Sequence, residues 1–235
     1  MNAEEVLREL EALGSESYRK VLRNHGARDP LFGVKISELQ KIRKRIKRDY
    51  QLALDLYATG NYDAMYLAGL IADDAKMTKR DLQRWVAEAY CDGIAEYTVA
   101  WVAAESRYGS ELALEWIDSQ DERTAAAGWA TMSALVSLRD DAHLDMPRLA
   151  ELLRRVRSTI HEQPNRVRYQ MNAFVIALGS YVKAFTEDAI ETGKAVGEVF
   201  VDMGKTACKV PDAAAYIEKV IERGALGKKR KTVKC

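Results

Sequence analysis

Apolar residues recur along this chain at intervals of three and four, with little strict alternation, so nearly every segment reads as helix. Leu39, Ile42 and Ile46 follow Ser37, which with Gln40 has the form of a capping box: the hydroxyl accepts the Gln40 amide and the Gln40 side chain reaches back. Thr78 and Asp81 repeat the arrangement ahead of Leu82, Trp85, Val86 and Ala89. Asp145 is placed to cap a helix with Pro147 in its first turn and Leu149, Leu152, Leu153, Val156 and Ile160 along one face. Pro164 opens another, with Val167, Met171, Phe174, Val175 and Leu178 to one side, and Gly60 marks a stop between helices at about 50–58 and 61–73.

These predicted helices are short, numerous and joined by links of a few residues, which suits either a bundle or an α-solenoid. No exact repeat is visible, and units of about 40–47 residues of the HEAT kind diverge too far to settle the choice by periodicity. The pattern breaks at 197–211, GEVFVDMGKTACKVP, where β-branched alternation, two glycines and a terminal proline predict an irregular or extended loop before a last helix at 212–223. The end of the chain carries Lys228, Lys229, Arg230, Lys231 and Lys234 after two glycines. The expectation is one helical-repeat domain over 1–227 and a mobile basic tail over 228–235.

Composition narrows the class without changing it. Charged residues make up 30% and hydrophobic ones 48%, as in soluble folded proteins. No apolar run reaches the roughly 18 residues of a membrane span, and the acidic, amphipathic start MNAEEVLRELEAL is unlike a signal peptide. Three scattered cysteines, Cys91, Cys208 and Cys235, suggest a reducing cytoplasm, with a nucleoid association if the source is bacterial. The net charge of +1 conceals an asymmetry: residues 1–150 hold 20 Lys/Arg and 25 Asp/Glu, residues 151–235 hold 16 and 10. A polyanion is therefore expected on the C-terminal third.

Standard catalytic signatures are missing. His25, His143 and His161 lack metal-binding spacing, so no metal and no cofactor is expected. Gly204-Lys205-Thr206 has the ending of a phosphate-binding loop, but the glycine that loop requires five positions earlier is Val199. Trp85, Trp101, Trp116 and Trp129 lie in apolar stripes that normally face a core; Trp101 and Trp129 are the candidates for stacking on a nucleotide, and Gly128 would allow a second backbone close to Trp129. Residues 41–48, KIRKRIKR, read first as the solvated face of a helix. Arg154 and Arg157, then Arg166 and Arg168, fall on two successive predicted helices, and in a solenoid such helices can present one row of phosphate contacts, joined by Lys183 and by Lys228, Lys229, Arg230 and Lys231 of the tail.

Three segments resemble a known family. Phe32-Gly33-Val34-Lys35-Ile36-Ser37-Glu38-Leu39 is similar to a GV-x-x-x-x-L segment of AlkD-like DNA alkylation repair proteins, and Leu52 to Tyr57 followed by Tyr66 to Asp73 is similar to their next helix pair. Val201 to Pro211 and Tyr216 to Lys219 resemble one branch of the family. The resemblance implies a curved array of HEAT-like repeats that grips duplex DNA, alkylated or distorted, on a concave basic face. Active relatives hydrolyse the N-glycosidic bond of cationic purines such as 3-methyladenine and 7-methylguanine, using an Asp near stacking tryptophans without deep base flipping. A cationic base is already a good leaving group, so a carboxylate that stabilises the sugar cation can suffice.

The active family's W-D-x-x-D-like segment falls here on Tyr90-Cys91-Asp92-Gly93-Ile94-Ala95-Glu96. Asp92 remains, Ala95 stands where the second Asp would be, and Glu96 lies one residue off register; a later stacking position falls near Phe174, and the family arginine near Arg123. Asp92 and Glu96 are the candidate catalytic carboxylates, and Trp101, Trp129 and Phe174 the candidate stacking aromatics. Three functions stay open: a glycosylase of alkylated bases, a non-catalytic binder of DNA structures, and a helical-repeat scaffold for protein partners that the sequence does not identify.

Overall fold

The structure, a computed structural model, describes residues 1–234. Among them the regular elements are all helical: α1 (Ala3–Leu13), α2 (Glu16–Asn24), α3 (Ile36–Ile46), α4 (Tyr50–Ala58), α5 (Tyr62–Ile71), α6 (Lys79–Glu88), α7 (Ala100–Glu105), α8 (Gly109–Ile117), α9 (Glu122–Leu138), α10 (Met146–Thr159), α11 (Asn165–Tyr181), α12 (Thr186–Val196) and α13 (Ala213–Glu222). A π-helical segment, Ile94–Val99, leads directly into α7. Residues 197–212 contain turns and extended backbone only. No helix among the described residues is long and apolar enough to cross a membrane.

Local signals place most of the starts. Thr78 and Asp81 form a reciprocal capping box on α6, the Thr78 hydroxyl accepting the Asp81 amide and the Asp81 carboxylate accepting the Thr78 amide. Asp145 accepts the Arg148 amide at 3.0 Å ahead of Pro147. Ser37 behaves differently. Helix α3 begins at Ile36 behind an uncapped Lys35, which puts Ser37 inside the first turn. The reason is non-local: Asp63 of α5 fixes the three residues before Lys35. Its carboxylate accepts the amides of Phe32 at 2.8 Å, Gly33 at 3.0 Å and Val34 at 2.8 Å. Gly33 has φ +78°, and a Cβ there would lie 2.6 Å from the Ser15 carbonyl oxygen, so only glycine allows the loop to turn under α2. Asp63 is 1% exposed; burial raises its pKa above the ordinary carboxylate value, while the three amides pull it back.

The chain forms two compact units, one of residues 1–108 with 204–206 and Lys234, the other of 109–203 with 207–233. In the first, α4 and α5 pack as a consecutive pair, and α5 lies beside the π segment, with Gly69 against Thr98 and Tyr66 edge-on to Trp101. In the second, the pairs are α8 with α9, α10 with α11 and α12 with α13. Helices α8 and α9 are antiparallel: Gly128 sits where a Cβ would come within 2.5 Å of the Ile117 nitrogen, and Arg139 beyond the end of α9 bonds Ser110 at the start of α8. Helices α9 and α11 run parallel, since Glu122 meets Arg166 at one end and Trp129 meets Phe174 further along. Within this unit α9, α11 and α13 therefore form one layer and α10 and α12 belong to the other, the arrangement of stacked helix pairs.

The expected mobile tail is instead packed, and two of its lysines, Lys229 and Lys234, are used inside the fold. In the second unit it runs along the C-terminal ends of α9 and α11, where orphan carbonyls need donors. The Gly227 amide bonds the Ser180 carbonyl, the Arg230 amide bonds that of Ser137, and Lys229 reaches the Val136 carbonyl at 2.8 Å and the Asp141 carboxylate at 2.8 Å. In the first unit Lys234 bonds the Ala72 carbonyl just beyond α5 and both Asp74 oxygens, at 2.6 and 2.8 Å. Cations at helix C-termini also meet the negative end of the helix dipole. Cys235 of the expected tail lies outside the described residues.

Two substitutions test these anchors. Asp63→Ala orphans three amides, at about 1–3 kcal/mol per buried donor, so stability should fall by about 3 kcal/mol or more and the melting temperature by about 6–12 °C. A shift below about 2 °C would show that the loop before α3 does not depend on Asp63. Lys234→Met leaves the Asp74 carboxylate buried without its cation and should cost about 3–5 kcal/mol in denaturant unfolding, with most of the loss recovered in the Lys234→Met/Asp74→Leu double variant. An unchanged unfolding midpoint for the single variant would mean that the end of the chain is not held.

Candidate nucleic-acid interface

The basic residues expected to form one row occupy three different places in the second unit. Arg154 and Arg157 lie on α10 and face α12 across a small groove that also contains Asp188 and Glu191, and Arg157 bonds Glu191 at 2.9 Å. Carboxylates thus already partner this groove. Arg166 and Arg168 lie on α11, in the other layer, at its N-terminal end. Two residues apart on a helix, they point about 200° from one another around the axis. Lys183 follows the C-terminal end of α11, beside Gly227 and the packed tail. Adjacent helices in sequence alternate between layers, so Arg154 and Arg157 stand in one layer and Arg166 and Arg168 in the other.

The N-terminal ends of α9 and α11 are a second candidate for an anion, with Asp121 accepting the Thr124 amide at 2.8 Å at the start of α9. Their parallel course puts two positive helix-dipole ends side by side, and each helix start carries amides without intrahelical acceptors. Arg123 lies in the first turn of α9 and Arg166 in that of α11; Glu122 accepts the Arg166 amide at 2.6 Å, which locks the two ends together. The Arg166 guanidinium lies 4.6 Å over the ring centre of Tyr169 and reaches the Met203 sulfur. Asn165 holds the loop above, accepting the Asp202 amide at 2.7 Å and donating to its carbonyl at 2.9 Å. Phe200 of the same loop is 71% exposed while its neighbours Val199 and Val201 are buried. Guanidinium groups, the half-buried Tyr169, the exposed Phe200 and helix N-termini suit contact with phosphate and sugar.

The candidate aromatics are placed otherwise than the sequence suggested. Trp129 and Phe174 are 1% and 0% exposed and pack on each other with ring centres 5.3 Å apart, so neither ring has a face for a base. Trp101, also buried, lies edge-on to Tyr66 at 5.5 Å and tilted against Tyr97 at 5.6 Å. The exposed member of that group is Tyr97, which stripe reasoning passed over because it stands outside the apolar repeat.

Asp92 and Glu96 belong to the first unit. Asp92 is half-buried at the turn that starts this segment, and Glu96 sits within the π segment with 4% of its surface exposed. A carboxylate that stabilises a sugar cation must reach the sugar, and Glu96 lies beneath the surface. Beside them the Tyr90 hydroxyl bonds the Arg28 carbonyl, and the Arg28 guanidinium covers the Tyr90 ring at 4.6 Å.

The pattern of the family described as DNA alkylation repair enzyme matches residues 6–217. An uncharacterized protein of Listeria innocua is 36% identical over 221 residues, covering 92% of this chain and 95% of its own length, and one of Listeria monocytogenes is 35% identical over the same shares. A solved structure, described as representing a new family of proteins related to the HEAT-like repeat DNA glycosylases with affinity for branched DNA structures, is 39% identical, covers both chains completely and superposes with a TM-score of 0.93. The all-helical, stacked-pair architecture is therefore that of the HEAT-like repeat fold, and the chain belongs to the DNA alkylation repair enzyme family.

Proposed function

We propose that this protein binds DNA without excising bases, and that it prefers branched or otherwise distorted DNA to a regular duplex. The observation that carries this reading is the full-length likeness, at 39% identity and a TM-score of 0.93, to a protein from a family with affinity for branched DNA structures. Side chains support it. The paired N-terminal ends of α9 and α11, with Arg123, Arg166 and Tyr169, offer phosphate contacts that carry no sequence information. The buried Trp129 and Phe174, the occupied face of Tyr90 and the submerged Glu96 fit a scaffold whose lesion-handling groups have been given over to packing.

A second reading keeps glycosylase chemistry on Asp92, the one motif carboxylate that retains partial exposure. The two readings separate in solution. Wild-type protein should bind a four-way junction more tightly than a linear duplex of equal length, with log K falling against log salt by about 0.9 per phosphate neutralised. Arg166→Ala should weaken both by about threefold to tenfold and flatten the salt slope by about one contact. Single-turnover incubation with methylated duplex DNA should release neither 3-methyladenine nor 7-methylguanine. Release that disappears in Asp92→Asn would instead establish the glycosylase, and a binding constant indifferent to salt would remove the phosphate interface.

A further inference from the structure

Residues 41–48 hold six basic side chains and no acidic one, and the fold sorts them into two groups. Lys41 pairs with Glu38 at 2.8 Å, Arg45 pairs with Glu9, and Arg43 donates to Gln40 at 3.2 Å. Lys44, Lys47 and Arg48 are exposed, and among the described residues no carboxylate pairs with them. They stand at the corner between α3 and α4 in the first unit.

The acids nearest this corner are turned onto other groups. Asp49 uses its carboxylate to cap α4 through the Leu52 amide and its own amide to close the Ile71 carbonyl of α5. Asp73 pairs with Lys76, and Asp81 is occupied by Thr78 and by the Tyr50 hydroxyl at 2.9 Å. Exposed Arg84 acts electrostatically on both Tyr50 and Asp81, which brings a fourth cation to the same corner. The outward charge is thus basic, and the inward charge acidic and satisfied.

Lys47 itself is held at φ 66°, ψ −103°, and is the one residue other than glycine with positive φ among those described. A side chain with a Cβ avoids this region, and the position just past a helix end is where glycine ordinarily sits. A lysine kept in a conformation that glycine would relieve points to a use for its charge.

We propose that this corner, formed by Lys44, Lys47, Arg48 and Arg84, binds the sugar-phosphate backbone of one duplex arm of a branched DNA. The inference rests on the branched-DNA reading above. Free lysine and arginine side chains read phosphate without base contacts, and a junction offers two arms where a linear duplex offers one.

The test compares full-length wild type with the Lys44→Ala/Lys47→Ala/Arg48→Ala variant on a four-way junction and on a linear duplex, across a salt series. Junction affinity should fall about tenfold or more and its salt slope should shrink by about two to three units, while linear-duplex affinity changes less than about twofold. Junction affinity that is unchanged, or that falls in step with the duplex, overturns the corner as a site for a junction arm. Wild type that binds both DNAs alike overturns the branched-DNA reading, and this proposal with it. Lys47→Gly adds an independent readout: melting temperature should rise by about 2–4 °C as the backbone relaxes, while junction binding weakens about threefold. Stability that falls, or binding that is unaffected, counts against a functional lysine at this position.

Discussion

One carboxylate sets the frame of the first unit. Asp63 closes three successive amides of the loop before α3, and in doing so decides where that helix begins, why Gly33 must be glycine and how α2 lies over the loop. Burying the charge is unfavourable, as its raised pKa records, and three donors converging on two oxygens are what make the burial tolerable. The same economy of backbone groups recurs at the other helix ends. Carbonyls that α5, α9 and α11 cannot satisfy internally take amides and lysine ammonium groups from the last segment of the chain.

These anchors govern how charge is distributed. Lysines that composition alone would assign to solvent close helix ends, and Arg157 is held by Glu191. Exposed cations remain at the α3–α4 corner, in Lys44, Lys47 and Arg48, and along the last segment, in Lys228, Arg230 and Lys231. Local geometry, rather than the total of basic residues, therefore selects which surfaces can meet a polyanion.

Helix boundaries were legible in sequence wherever the signal was local. Thr78 with Asp81 and Asp145 with Pro147 cap the helices that their spacing implies. Ser37 failed because Asp63, 26 positions later, overrides it. The placement of the arginines was not legible for a related reason: consecutive helices alternate between layers, which puts Arg157 on α10 in one layer and Arg166 on α11 in the other. Aromatic stripes marked core residues correctly for Trp129 and Phe174, but the exposed ring, Tyr97, had no periodic signal to give it away. The tail misled because lysine-rich composition says nothing about carbonyl acceptors roughly a hundred residues earlier, a distance that only the fold closes.

The π segment has a consequence for comparing relatives. A wide turn of this kind accommodates one residue more than the α turn it replaces, so side chains beyond it are rotated relative to those before it. Residues 94–99 straddle the region where the family's second carboxylate is expected, and Glu96 stands one position out of step there. Counting along the chain from Asp92 thus assigns Ala95 to a place that the backbone no longer puts on the same wall. Homologous positions across such a turn have to be matched from each flank separately, because the turn shifts the register of every side chain beyond it.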